Sequence, residues 1–191
     1  MSPDPMAHAT SRKGAGDLAP APERQDMNAI VDIITQDLPD DPPHGFRPIP
    51  IDGGFAQVFG TVYGRIDGAR LLLGFRCGRR HLNPSGNCHG GALASFADLQ
   101  AFGAQHAIGY DTHIEPTINL DIDYLAPVRP GDWVEAETTV LKTTGRMLFS
   151  SMLAKVDLSP VFHAKAIFRL HHRADPTGLA RLAWLTSPAG T

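Results

Sequence analysis

The chain has 191 residues, 17 basic against 20 acidic side chains, a formal net charge of −3 and a 42% hydrophobic content. That balance suits a globular protein able to bury a core, and it gives no electrostatic reason to expect nucleic-acid binding. No apolar run approaches the roughly 20 residues of a membrane span, the N-terminus lacks a secretion signal, and Cys77 and Cys88 cannot build a disulfide framework, so a cytoplasmic protein is expected.

Residues 1 to about 25 are rich in Pro, Ala, Gly and Ser without hydrophobic period, which predicts disorder. A short helix is expected from Asp26 to Asp37, where Ile30, Ile33 and Ile34 share helical spacing. Pro39, Pro42, Pro43, Pro48 and Pro50 then impose an extended connection. The folded core is expected to start near Ile51, giving an N-terminal segment 1–50, a domain 51–172 and a tail 173–191.

From Phe55 to Arg76 the pattern reads as strands, with Asp67-Gly68 as a hairpin turn between apolar runs. The stretch Asn83-Pro84-Ser85-Gly86-Asn87-Cys88-His89-Gly90-Gly91 is loop chemistry, and it opens an Ala-rich helix running to about Ile108. Asp98 is the only full charge between His89 and His106. A carboxylate among Leu93, Phe96, Ala97 and Phe102 needs a partner or a function, because burying it alone costs several kcal/mol.

Four more strands follow. Thr117 to Tyr124 alternates, with Ile118, Leu120, Ile122 and Tyr124 on one face. Trp133 to Leu141 and Arg146 to Val156 flank the turn Thr143-Thr144-Gly145. Val161 to Leu170 places Phe162, Ala164, Ala166, Phe168 and Leu170 on the buried side. The economical fold is α+β, a mainly antiparallel sheet wrapped around one helix. After His171 a helical turn from Leu179 to Leu185 is expected. There is no internal repeat, phosphate-cradling glycine loop or dinucleotide fingerprint, and the histidines lack metal-ligand spacing.

The spacing Asn83, Gly86, His89-Gly90-Gly91, then Asp98, resembles the hotdog-fold thioesterases, and within them the phenylacetate-pathway (PaaI-like) acyl-CoA thioesterases. The matching framework runs from about Phe55 to Leu170. Physical chemistry stands beside the resemblance. The first N–H groups of a helix have no intrahelical partner and carry the positive end of its dipole, so Gly90 and Gly91 offer an oxyanion site. The resemblance makes the Gly90 N–H the principal donor and Asp98 the catalytic carboxylate, as general base or as nucleophile. It also gives Asn83 and His89 positioning roles, and it matches Thr117 to a Ser or Thr that holds the attacking water.

An acyl slot is expected beside Phe96, Leu99 or Phe102. Arg79, Arg80, Arg129 and Arg146, with Lys142 and Lys165, are candidates for gripping coenzyme A. The CoA belongs to the substrate, and no cofactor or metal is implied. Gly90 and Asp98 are eight residues apart, hence about 12 Å along a helix axis. One chain cannot easily bring both to one reacting carbon. A two-fold homodimer with antiparallel helices would pair Gly90 of one subunit with Asp98 of the other, in accord with the interface sites of the resembled family. A dimer of dimers is the expected larger assembly. A non-catalytic acyl-CoA sensor and a hotdog hydratase or dehydratase are the rival readings. Cys88 beside His89 is discounted as a Cys-His nucleophile, because adjacent side chains rarely face each other and no orienting third group is visible.

Overall fold

The computed structural model describes residues 41–51 and 54–187; the helix expected from Asp26 to Asp37 lies outside them. In chain order the elements are β1 (Arg47–Pro48), α1 (Phe55–Phe59), β2 (Tyr63–Asp67), β3 (Arg70–Arg76), a 3₁₀ turn (Arg79–His81), α2 (Gly90–Asp98), α3 (Gln100–Ile108), β4 (His113–Tyr124), β5 (Trp133–Thr143), β6 (Met147–Val156), β7 (Ser159–His171) and α4 (Pro176–Thr186). The seven strands form one antiparallel sheet in the order β1-β2-β3-β5-β6-β7-β4. Among the described residues no helix is long and apolar enough to cross a membrane.

The sheet curls around α2 and α3. Phe96 is fully buried at the centre, with ring centroids 4.7 Å from Phe75 and 6.4 Å from both Phe59 and Phe162. Burying an aromatic side chain of this size supplies about 1.5–3 kcal/mol relative to leaving it exposed. The period-2 row on β7 is buried as its alternation requires: Phe162, Ala164, Ala166, Phe168 and Leu170 all face inward. A second cluster, Ala104, Ile114, Leu148, Ala166, Phe168 and Leu170, gathers against α3. Gly103 allows that approach, since a Cβ there would lie 2.7 Å from Thr138 Oγ1 on β5.

Several features differ from the sequence expectations. Phe55–Phe59 is a helical turn, not a strand, bracketed by Gly54 and Gly60 at φ +63° and +102°; only Phe59 of its apolar residues turns inward, while Phe55 and Val58 stay exposed. Packing begins before Ile51, because Phe46 and Ile49 are buried and β1 pairs with β2.

The central helix is interrupted at Leu99, whose N–H reaches back to Phe96 and whose carbonyl accepts from Phe102, both in 3₁₀ fashion. Gln100, wholly buried, stabilises the break: its Nε2 donates to the Ala97 carbonyl at 2.9 Å, and its Oε1 accepts from Ser150 Oγ at 2.7 Å. β4 extends back to His113, with register shifts on either side of Thr117. The tail helix is longer than one turn, because Asp175 caps it from Gly178 N–H at 2.9 Å and Pro176 begins it.

β4 forms one edge of the sheet over twelve residues. Leu120 and Ile122 are partly buried against the core, whereas Ile118 and Tyr124 on the same expected face are more than half exposed. The β6–β7 turn places Asp157 and Leu158 at φ +47° and +73°, the left-handed pair that matches the twist of a tight hairpin.

Candidate active site

The start of α2 is built by a loop that satisfies itself. Asn83 Oδ1 accepts from the N–H groups of Ser85 (2.9 Å) and Asn87 (3.2 Å), and the Asn83 N–H donates to the Asn87 carbonyl at 2.8 Å. Gly86, at φ +78°, closes the turn. His89 lies in extended backbone as the N-cap of α2, and its Nδ1 accepts from the Gly91 N–H at 2.8 Å. The neutral ring then carries its proton on Nε2. Gly91's N–H is therefore engaged, and among the described residues the Gly90 N–H has no partner.

Tyr124 fixes the other side of Gly90. Its hydroxyl donates to the Gly90 carbonyl at 2.7 Å, and burial followed by the nearby Cys88 pushes its phenol pKa up, keeping it a donor. A Cβ on Gly90 would sit 3.2 Å from that ring, and one on Gly91 2.9 Å from His89 Nδ1, which is why both positions are glycine. Asn83, Gly90 and Tyr124 line one open hollow of about 400 Å³.

At the other end of α2, Asp98 is half-buried and accepts a 2.8 Å hydrogen bond at Oδ1 from Thr117 Oγ1. The bulged register of β4 lets Thr117 meet a helix nineteen residues earlier in sequence. Among the described residues Asp98 Oδ2 has no partner. Asp98 opens into a second hollow of about 190 Å³, lined mainly by apolar groups that include Ile51, Phe59, Val62 and Leu99. Ser95, on the same wall, donates to the Gly91 carbonyl at 2.8 Å.

The structure thus brings together Asp98 with Thr117, and Gly90 with Asn83 and His89, while Asp98 and Gly90 themselves open onto separate hollows. Leu99 lines the Asp98 hollow. Phe96 does not line a slot; it points from the helix into the sheet and belongs to the core. Phe102 lines a neighbouring chamber rather than the acid hollow.

Arg79 and Arg80 are exposed on the 3₁₀ turn, Arg129 is exposed beside the Val128 wall of the Asn83 hollow, and Arg146 with Lys142 flanks the β5–β6 turn. Lys165 pairs with Asp121 at 3.5 Å. Cys88 is buried behind the loop, and the hydrogen bond between the two cysteines, then burial, push the Cys77 thiol up, away from the reactive thiolate. Among the described residues no three His, Cys, Asp or Glu side chains gather as a metal site.

Three residues here were not singled out from sequence. In the sequence Tyr124 reads only as a strand residue, Ser95 carries no reading, and the amide of Gln100 on an apolar stretch is the one signal available.

A curled antiparallel sheet around a central helix with these residues at its two ends is the hotdog fold, the architecture of a class of thioester hydrolases. Residues 85–155 match the family model described as Thioesterase superfamily. The Pseudomonas aeruginosa protein named "Putative esterase PA0474" is 31% identical over 134 residues, covering 67% of this chain and 96% of that one. Among solved structures, a Streptococcus pneumoniae TIGR4 protein titled Hypothetical Thioesterase Protein with Coenzyme A superposes with a TM-score of 0.55 at 16% identity, covering 63% of this chain and 93% of that one. A variant of the phenylacetic acid degradation protein PaaI from Thermus thermophilus gives 0.52 at 19% identity, covering 60% and 96%. The chain belongs to the thioesterase superfamily.

Proposed function

We propose that the chain hydrolyses an acyl-CoA thioester to free CoA and a carboxylic acid, as a homodimer whose sites are shared between subunits. The observation that carries this reading is the Thr117–Asp98 hydrogen bond at the mouth of an apolar hollow. With Thr117 holding Oδ1, Oδ2 is left to take a proton from water. The resulting hydroxide attacks the thioester carbon, the Gly90 N–H of the other subunit stabilises the oxyanion, and the C–S bond breaks with the proton passing to the CoA sulfur. Attack by Asp98 itself, giving a mixed anhydride that water then cleaves, uses the same atoms. Asn83 keeps its amide N–H groups for the substrate, because its oxygen is spent in the loop.

Support for the shared site comes from the two separate hollows and from the free β4 edge, where half-exposed Ile118 and Tyr124 suit strand pairing with a second copy. A second association through the outer sheet face, where Leu153 and Leu158 stand out, would give a dimer of dimers. The coenzyme A in the pneumococcal structure supports CoA as the leaving group, with Arg79, Arg80, Arg129 and Arg146 as the basic residues offered to its phosphates. Reduced Cys77 and Cys88 suit a cytoplasmic setting.

A thiol-release assay over benzoyl-, phenylacetyl- and fatty-acyl-CoAs tests the reading. Wild type should release CoA from at least one ester, and Asp98→Asn should lose about 10²–10⁴ of that rate. No release from any ester, or full activity in Asp98→Asn, would refute it.

A further inference from the structure

One face of the central helix pair carries Ser95, Leu99, Phe102 and Gln105, at helical spacing across the break. The first two line the hollow of Asp98; the last two line a separate chamber of about 90 Å³ beneath α4. The segment before α1 marks the same two spaces in the opposite chain direction, with Ile49 on the chamber and Ile51 on the hollow. At the junction stands Arg181 of α4. Its Nε donates to the Pro50 carbonyl at 3.2 Å, between those two isoleucines, and its guanidinium lies 5.0 Å from the Phe102 ring centroid. Phe102 and Arg181 both line the chamber, and the Arg181–Pro50 bond falls between the residues that mark the two spaces.

The chamber walls ask for an apolar occupant. Ile49, Leu71, Ala101, Ile114, Leu182 and Leu185 join Phe102 as the apolar lining, and several of the polar groups on it are already bonded. Gln105 Nε2 donates to the carbonyls of Gly109 and Thr112, both at 2.6 Å, and its Oε1 accepts from the Ile114 N–H at 3.2 Å. Asp175 caps α4 and lies 3.6 Å from His113 Nδ1, whose Nε2 is 2.9 Å from Glu115. Tyr110 Oη lies 3.5 Å from His106 Nδ1 and Arg181 spends its Nε on the Pro50 carbonyl, which leaves the terminal N–H groups of Arg181 for a polar ligand atom beside a wall that is otherwise mainly apolar.

Size and reach narrow the choice. A cavity of about 150 Å³ holds benzene, so this smaller space suits a few methylene groups rather than an aromatic ring. From Asp98 to Gln105 the helix advances about 10 Å, and an extended chain covers about 3.5 Å in three bonds, so roughly nine bonds span it.

We propose that the chamber under α4 receives the end of the acyl chain and selects unbranched aliphatic acyl groups of medium length, with Phe102 and Arg181 as its door. This deepens, and rests on, the acyl-CoA reading above. The acyl carbon lies at Asp98, the chain follows Leu99, and the Phe102 ring swings aside to admit the last methylenes.

The experiment measures kcat/KM over butanoyl-, octanoyl-, decanoyl-, palmitoyl- and benzoyl-CoA for wild type, Ala101→Phe and Leu182→Phe, with circular dichroism and melting curves confirming the fold. Wild type should favour octanoyl- or decanoyl-CoA, and each variant should lower the decanoyl-to-butanoyl ratio at least tenfold, mainly through KM. The two variants fill the chamber from different elements, so one suffices if the other misfolds. A ratio within twofold of wild type in a folded variant, or a wild-type preference for benzoyl-CoA, overturns the chamber assignment. Absence of hydrolysis from every ester would instead defeat the activity. Calorimetry then reads the chamber directly, with decanoyl-CoA expected to bind Asp98→Asn at least tenfold more tightly than Asp98→Asn/Leu182→Phe; equal affinities overturn the proposal.

Discussion

The two ends of α2 solve opposite problems. The Gly90 end is rigid and polar: a self-bonded loop, a histidine cap and a tyrosine tether leave one N–H unspent and pointing out. The Asp98 end is apolar, with one carboxylate held by one hydroxyl among α1 and the helix break. A fixed donor is worth most where charge develops, and a carboxylate works best where little water competes with it. One short helix holds the two environments at its opposite ends, which is the reason for proposing above that a second copy completes each site.

The sharpest way to break this comparison is to separate the ends genetically. Gly90→Pro removes the N–H at the first helical position, where proline's backbone fits although its ring presses on Tyr124, and should cost at least about 10²–10³ in kcat. Mixed with Asp98→Asn under conditions that exchange subunits, it should recover about a quarter of wild-type activity if chains assort randomly into two-fold dimers; no recovery in a verified heterodimer would defeat the shared site. Thr117→Val keeps the shape of the acid end and deletes its hydrogen bond. A bond to a charged group is worth about 1.5–3 kcal/mol, so activity should fall roughly ten- to hundredfold, read as kcat on the best ester. Tyr124→Phe probes the donor end. Losing a neutral tether worth about 1 kcal/mol should reduce kcat/KM only a few-fold, and a larger loss would show that the tyrosine does more than hold the Gly90 carbonyl.

Much of this was legible in the chain. His89-Gly90-Gly91 announces a helix start, Asp98 stands out as an acid among apolar neighbours, and strict alternation from Phe162 to Leu170 marks a strand with one dry face. Other features depend on contacts distant in sequence. The break at Leu99 carries no Gly or Pro, and its cause is Gln100 bonding to Ser150, fifty residues away. Phe55 to Phe59 is too short for either period to declare itself, so the glycines on its flanks decide it. Phe96 and Leu99 are equally apolar; which one meets the core depends on where the sheet lies against the helix. Arg181 reads as an ordinary surface charge until α4 folds back across Pro50.

The β6–β7 turn has a consequence for durability. Leu158 adopts a left-handed backbone with its side chain 87% exposed, a conformation that costs an L-residue about 1–2 kcal/mol and glycine almost nothing. Leu158→Gly should raise the melting temperature by several degrees, set against the entropy that glycine adds to the unfolded chain. The same change removes one of the two leucines offered above to a second association, so light scattering should show a shift from tetramer toward dimer. A single hairpin tip thus offers a handle on shelf life, far from either end of the central helix.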